Sequence, residues 1–135
     1  MLGQYRFVVP VEGGGEMMFL ANVDQTKKLV QVHYLAKMDL NLSEEQKWKV
    51  TAFASAQILV RQVARVMLVD DGLRCYFFLR TVGNSTIEDQ FMGSFERFLV
   101  DIERIHTDFY DISKGDFSPL DRLSMNLDTL IGGIN

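Results

Sequence analysis

Asp71-Gly72 sits between two apolar runs, one leading in from Val63 and the other leading out to Thr81. A two-residue Asp-Gly loop suits a type I′ turn, which needs positive φ at both central positions, so the stretch predicts a β-hairpin over 63–81. With that turn, Asp70 faces Leu73, Leu68 faces Cys75, Val66 faces Phe77 and Ala64 faces Leu79. That side of the hairpin is apolar up to its end at Asp70. The other side carries Arg65, Met67, Val69, Arg74, Tyr76, Phe78 and Arg80. Such a mixture is neither a plain core face nor a plain solvent face, and it points to a surface that meets another protein.

At 135 residues, with 47% hydrophobic and 11% aromatic side chains, the chain reads as one domain over 1–135 with a sizeable core. Its net charge is −4 and its pI about 5.1. That balance argues against a nucleic-acid partner, whose phosphates must be neutralised by Lys and Arg. The single cysteine, Cys75, allows no intrachain disulfide and fits a reducing compartment. The opening residues alternate and lack the apolar block of a signal peptide. No run of about 18 apolar residues exists to span a bilayer. The expectation is a soluble, cytoplasmic protein that does not engage a membrane.

The remaining elements follow from periodicity. Gln4–Val11, Met17–Val23 and Leu29–Leu35 predict a three-stranded meander over 4–36, with Pro10 at an edge or strand end because it cannot donate to a ladder. Gly13-Gly14-Gly15 reads as a turn. Ser43 and Gln46 have capping-box spacing and open a helix over 43–61. Its apolar stripe is read as Trp48, Ala52, Ser55, Ala56, Leu59 and Val60. Gly83-Asn84 ends the hairpin, and Ser85 with Glu88 repeats the capping-box spacing. A long helix follows over 86–112, with Ile87, Phe91, Phe95, Phe98, Ile102, Ile105 and Phe109 on one face and Met92, Leu99 and His106 widening it. Its exposed side is read as Glu88, Glu96, Asp101, Glu103, Arg104 and Asp108. Ser118-Pro119 starts a short helix over 118–131 with a stripe of Leu120, Leu123, Leu127 and Leu130. It is expected to cover the sheet edge or to dock on a second subunit. The fold class is therefore α+β: a twisted antiparallel sheet of meander and hairpin, packed against a long C-terminal helix.

The residues give no pattern for a catalytic, metal or cofactor site. Cys75 falls on the apolar hairpin side, where a thiol acts as a small hydrophobe. His33 and His106 are far apart in sequence and lack companions at ligand spacing. Asp70-Asp71-Gly72 lacks the later acidic positions of a calcium loop. Gly13–Gly15 lacks the Gly-Lys-Ser/Thr ending of a phosphate loop. Glu44, Glu45, Glu88 and Asp89 lie in first helical turns, where they complement the macrodipole.

The order of elements, with QYRFVVPVEGGGEMMFLANVDQTKKLVQVHYL followed by TAFASAQILVRQVARVMLVDDGLRCYFFLRTV, resembles the YbjN family, grouped with type III secretion chaperone-like domains. The resemblance covers Gln4 to Ile112. The family's usual helix ahead of the strands has no counterpart here, and Pro119–Ile131 is a candidate to take its packing role. The resemblance implies a non-enzymatic protein that forms homodimers and holds partner proteins, with no catalytic motif to carry over. The function expected is thus that of a chaperone-like or adaptor protein, working through the hairpin face and the sheet edges. The alternative is a small-molecule-binding or sensory domain, with an apolar pocket between sheet and long helix lined by Phe91, Phe95, Phe98 and Met92.

Overall fold

The computed structural model describes residues 2–81 and 87–132. Five strands, β1 (Leu2–Pro10), β2 (Glu16–Asp24), β3 (Leu29–Lys37), β4 (Arg65–Val69) and β5 (Gly72–Arg80), form one antiparallel sheet. Its order is β1-β2-β3-β5-β4, so meander and hairpin join through β3 and β5. Helices α1 (Glu44–Ala56), α2 (Ile87–Ser113) and α3 (Ser118–Gly132) complete an α+β fold. Each element lies within a few residues of its predicted span, except the first helix. The expected break at Gly83-Asn84 and the second capping box at Ser85 lie outside the described residues.

The core forms where alternate strand residues meet the helices. Phe19, Val32, Leu73, Cys75 and Phe77 from the sheet are buried with Phe98, Ile102, Ile105 and Phe109 of α2. Phe77 and Phe98 pack with ring centroids 4.7 Å apart, and Phe95 meets Phe19 edge-on at 5.1 Å and Phe7 at 5.5 Å. Phe53 of α1 reaches Phe109 at 5.3 Å. Truncating any one of the buried rings would cost about 3–5 kcal/mol, so this cluster sets where the long helix lies on the sheet. Met92, expected to widen the α2 stripe, is instead exposed.

Two local readings are corrected. The hairpin turns at Asp70-Asp71, with Val69 opposite Gly72, Leu68 opposite Leu73 and Val66 opposite Cys75. That is a slip of two residues from the predicted pairing, and an even slip leaves every side chain on its predicted face. Neither Asp70 nor Asp71 has positive φ, so the turn is not type I′. Gly72 begins β5 where a Cβ would collide with the main-chain oxygen of Ala36 on β3. The glycine is required by strand contact, not by the turn.

Helix α1 stops at Ala56, and a 3₁₀ turn, Gln57–Leu59, replaces its predicted last turn. The Ser43 capping box is present: Gln46 N–H donates to Ser43 Oγ at 3.2 Å, and Ser43 N–H donates to Gln46 Oε1 at 3.0 Å. The buried face, however, is Val50, Phe53, Ala54 and Gln57, not the predicted stripe. Trp48 is 73% exposed, and Ala52, Ser55 and Leu59 also face outward. Both sides of α1 carry apolar residues, and the bulk of Phe53 fits the space beside Phe109.

A third correction concerns Asp101, read as solvent-facing and found fully buried. Its Oδ1 accepts the N–H of Gln62 at 3.1 Å, and its Oδ2 accepts those of Val63 at 2.8 Å and Ala64 at 2.9 Å. The chain arriving from α1 is thereby tied to the middle of α2 just before β4 begins. Asp108, also assigned to solvent, is partly buried and accepts from Arg61 at 2.9 Å and Arg122 at 3.2 Å. Arg61 Nε donates to the buried Gln57 Oε1 at 2.7 Å, so one network links the 3₁₀ turn, α2 and α3.

The C-terminal helix covers neither sheet edge. Its Leu123 is buried, and Leu120 and Leu127 pack on the core from the side of α1 and α2.

Two stability changes test these assignments. Asp101→Asn places an NH₂ against one of three backbone donors and should cost about 3 kcal/mol in urea unfolding. Gly72→Ala should cost about 3 kcal/mol by forcing β5 away from β3, read by the same titration.

Candidate functional site: the open sheet face

All three helices pack on one side of the sheet, and the opposite side is left open among the described residues. One row across it runs Arg6, Leu20, His33, Tyr76, Arg65 in successive strands. A second row holds Leu35, Arg74 and Met67, with Val8 paired to Met18 on the first two strands. A third holds Gln4, Asn22, Gln31 and Phe78. Met18 is 61% exposed, Val8 48%, Met67 47%, Leu35 44% and Phe78 43%. Apolar groups from all five strands therefore reach solvent on one surface.

The seven residues singled out from the hairpin share this face. Arg65, Met67, Arg74, Phe78 and Arg80 are exposed, and Val69 and Tyr76 are half-buried. Tyr76 lies between the His33 ring, stacked at 5.7 Å, and Phe78, edge-on at 5.5 Å. The Arg65 guanidinium sits 5.1 Å from the Phe78 ring centroid, a cation–π contact that holds it over the apolar patch. Arg6, Val8, Met18, Leu20 and Leu35 belong to the same surface and are absent from the hairpin reading. Alternation in the first three strands already sets them on a common side, but only the β3–β5 pairing makes that side continuous with the hairpin.

The face is also positively charged. Arg6, Lys37, Arg65, Arg74 and Arg80 lie on it, and none of them forms an ion pair among the described residues. Its acids are Glu16 and Asp24 at the two ends of β2. In a chain of net charge −4 this is a marked segregation. Partial burial, followed by the nearby Arg74 charge, holds His33 below the usual histidine range.

Among the described residues, Cys75, His33 and His106 lie apart from one another. Cys75 points into the core, where burial and then the Asp101 charge push its thiol up to about 12. His33 occupies the opposite side of the sheet. His106 on α2 meets the Tyr34 hydroxyl with 3.1 Å between Tyr34 Oη and His106 Nε2, and burial holds the ring below its ordinary pKa. The described residues contain no group of three or more His, Cys, Asp or Glu placed to hold a metal ion. An open cleft of about 860 Å³ lies between residues 37–42, Lys47 and Thr51 of α1, and the Leu68–Gly72 turn. No helix among the described residues is long and apolar enough to cross a membrane. No family model, curated protein or solved structure matches this chain.

The two histidines set a sign for the pH dependence. Both have folded pKa values below the unfolded value of 6.5, so the unfolded chain binds protons that the folded chain does not. Their contribution is complete above that value and is lost as pH falls from 6.5 toward the folded values. The urea midpoint should therefore drop between pH 7.5 and pH 5, and the His33→Gln, His106→Gln double variant should show a smaller drop.

Proposed function

We propose that this protein is a non-enzymatic, chaperone-like or adaptor module that binds a partner protein on the open sheet face and works as a homodimer. The observation carrying this reading is the continuous apolar and arginine-rich surface over all five strands, left uncovered by the protein's own helices. Aromatic, Met and Arg side chains are the types enriched at the centres of protein interfaces. Two such faces brought together would set arginine near arginine, so the face suits a partner of opposite charge. The favoured partner is an extended or amphipathic segment in which apolar side chains alternate with Asp or Glu. The YbjN-like order of elements agrees with a partner-holding role. A cytoplasmic location belongs to the same reading and is supported by the single cysteine.

The alternative, a ligand pocket between sheet and α2, has less support. The rings of Phe95 and Phe98 already pack against Phe7, Phe19 and Phe77 in that space, and Met92 faces outward.

A labelled peptide alternating leucine with glutamate, beside its leucine–lysine counterpart, gives a direct probe in fluorescence anisotropy. The glutamate peptide should bind, more weakly as salt rises, and the lysine peptide should not. Tyr76→Glu with Phe78→Glu should weaken binding at least tenfold, and Arg65→Glu with Arg74→Glu should do so without touching the aromatic groups. Equal binding of the two peptides, or variants that bind like wild type while remaining folded, would remove the open face as the partner site.

A further inference from the structure

The sheet ends in two edge strands, and they are guarded very differently. β4 has five residues, and the N–H groups of Gln62, Val63 and Ala64 leading into it are already held by Asp101. A short edge whose approach is occupied offers little to another strand. β1 has nine residues, each paired with β2 on one side. Its one proline is the last residue and its one charged side chain is Arg6. Nothing among the described residues pairs with its outer side. Apolar groups flank this edge on both faces: Val8 and Met18 on the open side, and the exposed Tyr5 on the helical side.

We propose that β1 is the dimer edge, and that two copies of this chain join β1 to β1 antiparallel about a two-fold axis at Phe7. The product is one continuous ten-stranded sheet whose two open faces lie side by side. This inference specifies the homodimer of the proposed function and rests on that part of the reading.

The sequence of β1 narrows the register, and the span of the strand favours Phe7 over Val8 as its centre, because positions 4 to 10 can then all pair. A two-fold axis normal to the sheet must pass beside a central residue, so that every residue faces one on its own side of the sheet. With Arg6 at the axis, two guanidinium groups stand directly opposite, which is destabilising. With Tyr5 at the axis, Phe7 falls on Gly3, where the Tyr5 ring already lies close. With Phe7 at the axis, Phe7 faces Phe7, Tyr5 faces Val9, and Arg6 faces Val8 with its aliphatic stem available to cover it. Like charges are never opposed along positions 4 to 10. Backbone donors and acceptors along this edge then meet another extended chain, and the exposed Tyr5 ring gains an apolar neighbour.

Val8 provides the test, because its side chain is half in solvent and substitution there spares the core. Sedimentation equilibrium of the full chain should show a dimer for wild type. Val8→Arg places an arginine opposite Arg6 of the other copy, once on each side of the axis, and should weaken dimerisation about tenfold. Val8→Glu should leave the dimer intact or tighten it, and Arg6→Glu combined with Val8→Arg should restore it. A wild type that is monomeric, or Val8→Arg and Val8→Glu variants that behave alike, would overturn the proposal. Peptide binding and mass are separate readouts, so loss of the dimer and loss of the partner site remain distinguishable.

Discussion

The carboxylate of Asp101 is the contact on which the arrangement of layers depends. It lies near the middle of α2, fully buried, and receives three consecutive backbone N–H groups from the segment between α1 and β4. An isolated buried charge would be costly, and three short charge-assisted bonds offset that cost. The geometry also has a topological effect. It ends the helical course of the chain after α1, starts β4 at a defined height, and places that start against the helix crossing the sheet. About two turns further along α2, Asp108 takes the side chains of Arg61 and Arg122 and brings α3 into the same assembly.

Holding all three helices on one side has a direct consequence for the other. The helical side is closed by an aromatic cluster in which Phe7, Phe19, Phe77, Phe95 and Phe98 touch one another. The open side keeps aliphatic, aromatic and methionine groups in solvent, beside arginines with no ion-pair partner among the described residues. An antiparallel sheet commonly solvates one face, but such a face usually reads as polar. Here one face is apolar and sealed by helices, and the other mixes exposed apolar groups with arginines and amides. The proposed partner surface follows from that difference, and the proposed dimer edge would extend it without covering it.

Much of the open face was legible in the residues, although not its extent. The hairpin's two faces survived a register error because the slip was even; an odd slip would have exchanged them. Val8 on the first strand and Met18 on the second carried the right alternation, yet nothing local tells a hairpin at 65–80 which meander strand it will join. Trp48 misled the reading of α1, since a large apolar residue at helical spacing is ordinarily taken as core. The true face, Val50, Phe53, Ala54 and Gln57, has the same period and includes a glutamine, so periodicity alone could not choose between them. Asp101 had a visible sign: it stands three residues after Phe98 and four before Ile105, inside the apolar stripe of α2.

The sequence by itself determined the local elements: the strands by two-residue alternation, the long helix by its phenylalanine and isoleucine spacing, the start of α1 by Ser43 and Gln46. Each rests on interactions between residues close along the chain. Tertiary structure decided the rest. It placed β5 between β3 and β4, turned α1 onto its Phe53 side, buried Asp101 against backbone donors some 40 residues away, and left one sheet face and the β1 edge uncovered among the described residues. Those outcomes depend on which surfaces compete for the same space, and that competition is settled only when distant segments pack together.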